Sequence, residues 1–206
     1  MNLGREAAVH FLTQLVVSLA GFGSTLAIAI LLGADGLGTY AVGLAIGFFW
    51  MQIPADAFAS AIAKRVSEAS GRGAVLTAGL IGTGLIAVAS AAVILGFGLL
   101  LTTIGPLGGT EFERVLVRYG PEVALLACTA GLYKGVEGGL QGEKQVAFAG
   151  MVTAGERALR TGLQVGAMVV GLGVEWLFLT QSASVLLAAL VGLKAIDTNL
   201  EWPARA

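Results

Sequence analysis

Hydrophobic positions in this chain do not alternate and do not form isolated stripes; they arrive in long blocks broken by small groups of charge. The breaks divide the chain into six apolar segments, at about 9–33, 38–62, 75–103, 122–142, 146–172 and 176–194. Each is long enough to cross about 30 Å of hydrocarbon as a helix, which needs roughly 20 residues. The first block has no Lys, Arg, Asp or Glu from Ala7 to Ala34, too long for the core of a signal peptide despite Arg5 before it. The longest uncharged block, Gly73 to Thr110, is short for two crossings and a turn, so it reads as one tilted helix ending near Gly105-Pro106; a division into two spans is the alternative. Trp176 opens the sixth segment as an interfacial anchor. Between the third and fourth, Phe112, Val115, Leu116 and Tyr119 recur at helical spacing opposite Glu111, Arg114 and Arg118, the pattern of a short helix lying on a membrane surface.

Composition agrees with the blocks. Of 206 residues, 56% are hydrophobic and 12% charged, with mean hydropathy +0.86, against about 25% charged in a soluble domain. The 31 glycines suit closely packed transmembrane helices and not a barrel of alternating strands. The fold class is therefore all-α, a polytopic transmembrane helix bundle whose partner is the lipid bilayer. Residues 1–194 form a six-helix lobe and 195–206 a polar tail. Arg5, the group Lys64, Arg65 and Arg72, then Lys144, and finally Lys194 and Arg205 all fall on one side of six spans, which places both termini in the cytoplasm by the positive-inside rule. A net charge of −1 leaves no footprint for nucleic acid, and one Cys with one His supports neither a disulfide, a metal centre nor a hydrolase, so no cofactor and no catalytic residue is expected.

Ionised groups inside the apolar blocks carry the functional signal. Lys134 and Glu137 lie in the fourth segment, Glu156, Arg157 and Arg160 in the fifth, and Asp56 in the second, just after Pro54. A charged group at the bilayer centre costs roughly 2.5–3.5 kcal/mol on insertion scales, so such residues face one another or a polar cavity. Helical spacing aligns His10, Gln14, Ser18 and Thr25; Gln52, Asp56, Ser60 and Lys64; Lys134, Glu137 and Gln141; and Thr153, Glu156, Arg160 and Gln164. These four stripes are expected to line one vestibule. Lys134 with Glu137 and Glu156 with Arg160 have pairing distances along the helix, and such internal pairs alone would suit a scaffold with no ligand; Arg157 is then left over, and its planar fork of donors matches the oxygens of a phosphate. Asp56 is either a site for a cation or proton or a partner for Lys64. The repeat Gly131, Gly135, Gly139 and the pairs Gly43/Gly47 and Gly162/Gly166 mark places where a neighbouring helix can approach closely.

Three patches together resemble the polysaccharide flippases of the multidrug/oligosaccharidyl-lipid/polysaccharide (MOP) exporter superfamily: Leu31 to Val42 (LLGADGLGTYAV), Asp56 with the basic run Ala63 to Glu68 (AKRVSE), and Lys134 to Ala149 (KGVEGGLQGEKQVAFA). The order and spacing of these patches extend the likeness over about residues 5–193. Two features depart from the family: Asp56-Ala57-Phe58 lacks a glycine often found two positions after the acid, and the family usually has twice as many spans. The resemblance implies one lobe of a two-lobed bundle in the cell membrane, translocating a polyprenyl-linked oligosaccharide for polysaccharide biosynthesis or glycosylation. It gives Lys134, Arg157 and Arg160 the role of receiving an anionic head, with Asp56, Glu137, Glu156, Gln164 and Gln14 lining the cavity or coupling an ion. The second lobe would be a second copy of the chain or a separate partner, or the chain is a truncated lobe. A multidrug or cation exporter of the same superfamily and a non-transporting scaffold are the competing readings.

Overall fold

The computed structural model describes residues 3–69, 71–105 and 108–196, with side chains throughout except at 3–10 and 50–53. Pro106, the side chains of Arg5, His10 and Gln52, and the tail beyond Ile196 with Arg205 lie outside the described residues. Five helices follow one another: α1 (Leu3–Glu68), α2 (Arg72–Ile104), α3 (Glu111–Gly142), α4 (Val146–Val169) and α5 (Val174–Ile196), and no strand occurs among the described residues. Helix is what a chain of this composition must form in lipid, where each backbone N–H and C=O needs a partner within its own segment.

A straight helix as long as α1 would measure about 100 Å. It is divided instead at Gly33, whose φ of 72° and ψ of −176° interrupt the helix between an amino-terminal arm, 3–32, and a carboxyl-terminal arm, 34–68. That backbone region is essentially open to glycine alone. No atom crowds the position a Cβ would take, so Gly33→Ala is expected to lower stability by about 1–3 kcal/mol through conformation alone. Gly38→Ala, equally uncrowded and not in the left-handed region, should leave the unfolding temperature in detergent unchanged. Equal unfolding temperatures for the two variants would refute this account of the break.

With α1 divided, each of the six expected segments corresponds to one helical piece, the first ending on Gly33 and the fifth running three residues past the end of α4. The long uncharged block is the single helix α2, not two spans and a turn. Phe11–Phe49 of α1, α2, α3 and α5 are long and apolar enough to cross a membrane; α4 differs from them in carrying Glu156, Arg157 and Arg160 within a few residues of one another.

Helix α3 is the central post, packed against α1, α2 and α5, while α4 packs on α1 and α5. A capping box at Thr110 and Glu113 starts α3, and Tyr119 (φ −123°, ψ 15°) kinks it two residues before Pro121, which has no N–H and crowds the carbonyl one turn back. The segment expected to lie on the membrane surface is thus the first part of α3. Val115, Leu116 and Tyr119 are buried in the main core and only Phe112 stays exposed. Gly98 of α2 permits this docking, since a Cβ there would stand 3.0 Å from the Leu116 carbonyl oxygen. The main core gathers Ile28, Tyr40, Ile94, Val123, Leu126 and Phe178 from all parts of the bundle, with the Phe178 ring 5.3 Å from that of Tyr40. A second cluster, Ile62, Val66, Leu76, Val136, Leu140 and Ile196, closes the end opposite Gly33.

Candidate functional site

The stripe on α4 is the inward face of that helix. Glu156, Arg160 and Gln164 are all buried, and Thr153 is half-buried, its hydroxyl 2.7 Å from the Tyr133 hydroxyl of α3. Glu156 stands at the centre of one ionised group. Its Oε1 accepts from Ser184 Oγ of α5 at 3.2 Å and lies 3.8 Å from Arg160 Nε, while its Oε2 lies 3.5 Å from Arg157 Nε. Both guanidinium contacts are longer than a good charge-assisted hydrogen bond, and Arg157 Nε is buried without any hydrogen-bond partner. The Arg160 side chain is 8% exposed and that of Arg157 37%. Two guanidinium groups therefore share one carboxylate.

A second ionised group has the opposite sign. Lys134 Nζ lies 3.2 Å from Asp56 Oδ1 and 3.1 Å from Glu137 Oε2, so two carboxylates share one ammonium. Asp56 pairs with Lys134 across helices, not with Lys64 along its own. Asp56 thus brings a second carboxylate to Lys134 from α1, while the Arg157 that the sequence left over shares Glu156 with Arg160. Lys134 pairs with Asp56 and Glu137, whereas Arg157 and Arg160 pair with Glu156. The Lys134 group and the Glu156 group sit on α3 and α4, with the Tyr133–Thr153 hydrogen bond tying the two helices together.

Further along α4, Gln164 is corrected in role. It has no exposed surface, so it belongs to the core and not to a cavity wall. Its Oε1 accepts from Ser24 Oγ at 2.6 Å, and its Nε2 donates to the Tyr40 hydroxyl at 2.6 Å and to the Leu177 carbonyl at 3.3 Å; Tyr40 in turn donates to Gln181 Oε1. On the amino-terminal arm, Gln14, Ser18 and Thr25 are exposed on the outside of the lobe, whereas Thr13 and Ser24 face inward. Ser60, Lys64 and Gln141 are exposed as well.

Several members of these networks were missed by the stripes, namely Ser24, Tyr40, Tyr133, Gln181 and Ser184. Gln181 and Ser184, in the short polar patch Thr180-Gln-Ser-Ala-Ser184 of α5, carried a usable signal, since amides and hydroxyls in such a helix hydrogen-bond across to neighbours. A cavity of about 540 Å³, lined by Thr39, Leu101, Glu111, Arg114, Arg118 and Tyr119, includes neither ionised group. Its Glu111 is already engaged by Arg114 at 2.6 Å and Thr39 at 3.1 Å.

No protein-family model matches the chain, and no curated protein matches it. Solved structures do. A MOP-superfamily transporter from Pyrococcus furiosus Vc1, for which reverse polarity of the binding pocket suggests a different function, aligns at a TM-score of 0.72 and 18% identity, over 98% of this chain and 46% of its own. A multidrug resistance MATE-family transporter of the same superfamily, in an outward-facing conformation, aligns at 0.69 and 18% identity, over the same shares. The chain therefore shares its all-helical fold with about half of each of these two transporters, and it spans less than half the length of the structures it matches.

Proposed function

We propose that the chain is a six-span lobe, residues 1–194, of a transporter in the cell membrane that moves a lipid-linked oligosaccharide across the bilayer, both ends facing the cytoplasm and a second lobe completing the cavity. The observation that carries this reading is Arg157. Internal pairing, as in a scaffold, accounts for Lys134 and for most of what Arg160 needs; it leaves Arg157 one-third exposed, its Nε without a hydrogen-bond partner, beside a carboxylate already shared. Such a guanidinium suits the phosphate of an amphiphile's head. Arg160 supports it from below the surface, and Lys134 joins if the head draws it away from Asp56 and Glu137.

A multidrug or cation exporter is the second reading, favoured by the excess of carboxylate at Asp56 and Glu137. The two separate in proteoliposomes. With the flippase reading, a fluorescent polyprenyl-phosphate sugar crosses, and Arg157→Gln slows it by roughly 10–100-fold, the worth of one hydrogen bond to a charged group. Transport of an organic cation that needs Asp56 and ignores Arg157→Gln would establish the exporter instead.

A further inference from the structure

The cavity of about 540 Å³ that includes neither ionised group lies where α2 ends and α3 begins. Three helices wall it: α1 brings Thr39, α2 brings Leu101, and α3 brings Arg114, Val115, Val117 and Arg118. Its two carboxylates are already engaged. Glu111 Oε2 holds Arg114 at 2.6 Å and its Oε1 accepts from Thr39, while Glu113 Oε2 accepts from the N–H groups of Gly108 and Thr110 ahead of the helix. Arg118 is the charge without a counterpart. Among the described residues its guanidinium forms neither an ion pair nor a hydrogen bond; it lies over the Tyr119 ring, 5.3 Å from the centroid. That ring is a fixed platform, buried 5.9 Å from Phe178 at the point where α3 kinks. A guanidinium held by a ring face has spent none of its N–H donors on an oxygen, so its fork stays available to an anion. Arg114, one turn earlier on the same face of α3, adds a second guanidinium.

The surroundings select the kind of anion. Leu101 and Val115 give the cavity an apolar wall, and Val117, which also lines it, is exposed, as are Leu100, Ile104 and Phe112 on the same ends of α2 and α3. Exposed aliphatic and aromatic side chains at the end of a spanning helix face lipid, and arginines beside them stand at the depth of the headgroups. A soluble anion would use the arginines alone; an amphiphile uses the arginines and the wall. We infer that this cavity binds the phosphate head of an anionic phospholipid of the bilayer, with Arg118 as the main anchor, Arg114 as the second, and the apolar wall against the glycerol and the first methylenes. The volume has room for such a head, being within the roughly 300–1,000 Å³ of small-molecule pockets. The lipid is a resident of the membrane and not the cargo, and it stabilises the junction of α1, α2 and α3 by binding only the folded bundle. Which leaflet supplies it rests on the topology proposed above, the outer one if both ends face the cytoplasm; the binding itself does not.

Native mass spectrometry of the full chain in a neutral detergent makes the test. Titrated short-chain phosphatidylglycerol should occupy one site ahead of any others. Phosphatidylcholine of the same chain length, whose head has no net charge, should bind more weakly, and glycerol phosphate, which carries the anion without the chains, should not displace the lipid at equal concentration. Arg118→Gln should weaken phosphatidylglycerol binding about 10–100-fold, the worth of a hydrogen bond to a charged group, while barely moving the unfolding temperature of the lipid-free protein, since Arg118 is exposed. Arg118→Lys keeps the charge without the fork, should fall between the two, and makes the same test if the glutamine variant does not fold. Arg72→Gln, at the exposed opposite end of α2, should bind as the parent does. Equal affinity for the two lipids, displacement by glycerol phosphate, or unchanged binding in both Arg118 variants would each overturn the site. No transported substrate enters these measurements, so the lipid site and the transport reading fail separately.

Discussion

Gly138→Ala is expected to cost more folded protein than any other glycine-to-alanine change in α3. A Cβ at Gly138 would stand 2.6 Å from the Ala59 carbonyl oxygen and 2.8 Å from the Ala59 Cα, both backbone atoms of the carboxyl-terminal arm of α1. Backbone cannot rotate aside, so two helices would have to part. Overpacking of this kind costs about 1–3 kcal/mol, and at a helix crossing the upper end applies. Gly135→Ala and Gly139→Ala meet side chains instead, Thr83 at 2.9 Å and the tip of Leu76 at 2.7 Å, which have some freedom to move. Gly142→Ala should rank second, against Val66 Cβ at 2.8 Å and the Ala63 carbonyl oxygen at 3.1 Å. Gly162→Ala meets no atom within 4 Å and should leave stability unchanged or slightly raised. Unfolding temperatures in detergent give the order, and a Gly138→Ala protein as stable as the parent would sink it. The crossing also positions chemistry: Ala59 against Gly138 brings Asp56, one turn earlier on its helix, within 3.2 Å of Lys134, one turn earlier on α3.

That glycine shows where the sequence stops being readable. Helices were legible because lipid leaves the backbone no alternative, and the charges that interrupt the apolar blocks mark where pieces of helix begin and end. The G-x-x-x-G repeat named the right helix, but spacing within one helix does not reveal which of its faces meets a neighbour, and the tightest approach falls on Gly138, outside the repeat. Gly162 and Gly166, formally the same motif, meet nothing within 4 Å. The amino-terminal arm shows the same limit. Gln14, Ser18 and Thr25 align as well as Thr13 and Ser24, and only the position of α4 selects the second pair. Pairs three or four apart, Lys134 with Glu137 and Glu156 with Arg160, were visible because one helix fixes both partners. Asp56 with Lys134 and Ser24 with Gln164 each join residues far apart in the chain, and docking alone creates them.

Neutralising Glu156 is expected to be the most damaging change at the candidate site. Glu156→Gln keeps the shape and still accepts the Ser184 hydroxyl, yet it removes the carboxylate shared by Arg157 and Arg160. Arg157 has a third of its side chain exposed and can turn toward water. Arg160, at 8%, cannot, and stranding a buried charge by deleting its partner costs about 3–5 kcal/mol. Glu137→Gln should cost far less, about 0–1 kcal/mol, because Lys134 keeps Asp56 and is itself one-third exposed. Combining Glu156→Gln with Arg160→Met should recover most of the loss, since replacing both members of a buried pair by uncharged groups is close to neutral where breaking the pair is not. A double-mutant cycle of unfolding in detergent measures this directly, and additive losses would show that the pair does not act as one. The stable double variant then tests Arg157 apart from folding: it keeps that guanidinium without Glu156 or Arg160, so binding of a phosphate-bearing amphiphile should persist and be lost on adding Arg157→Gln, whereas a purely structural trio would leave binding unmoved by that third change.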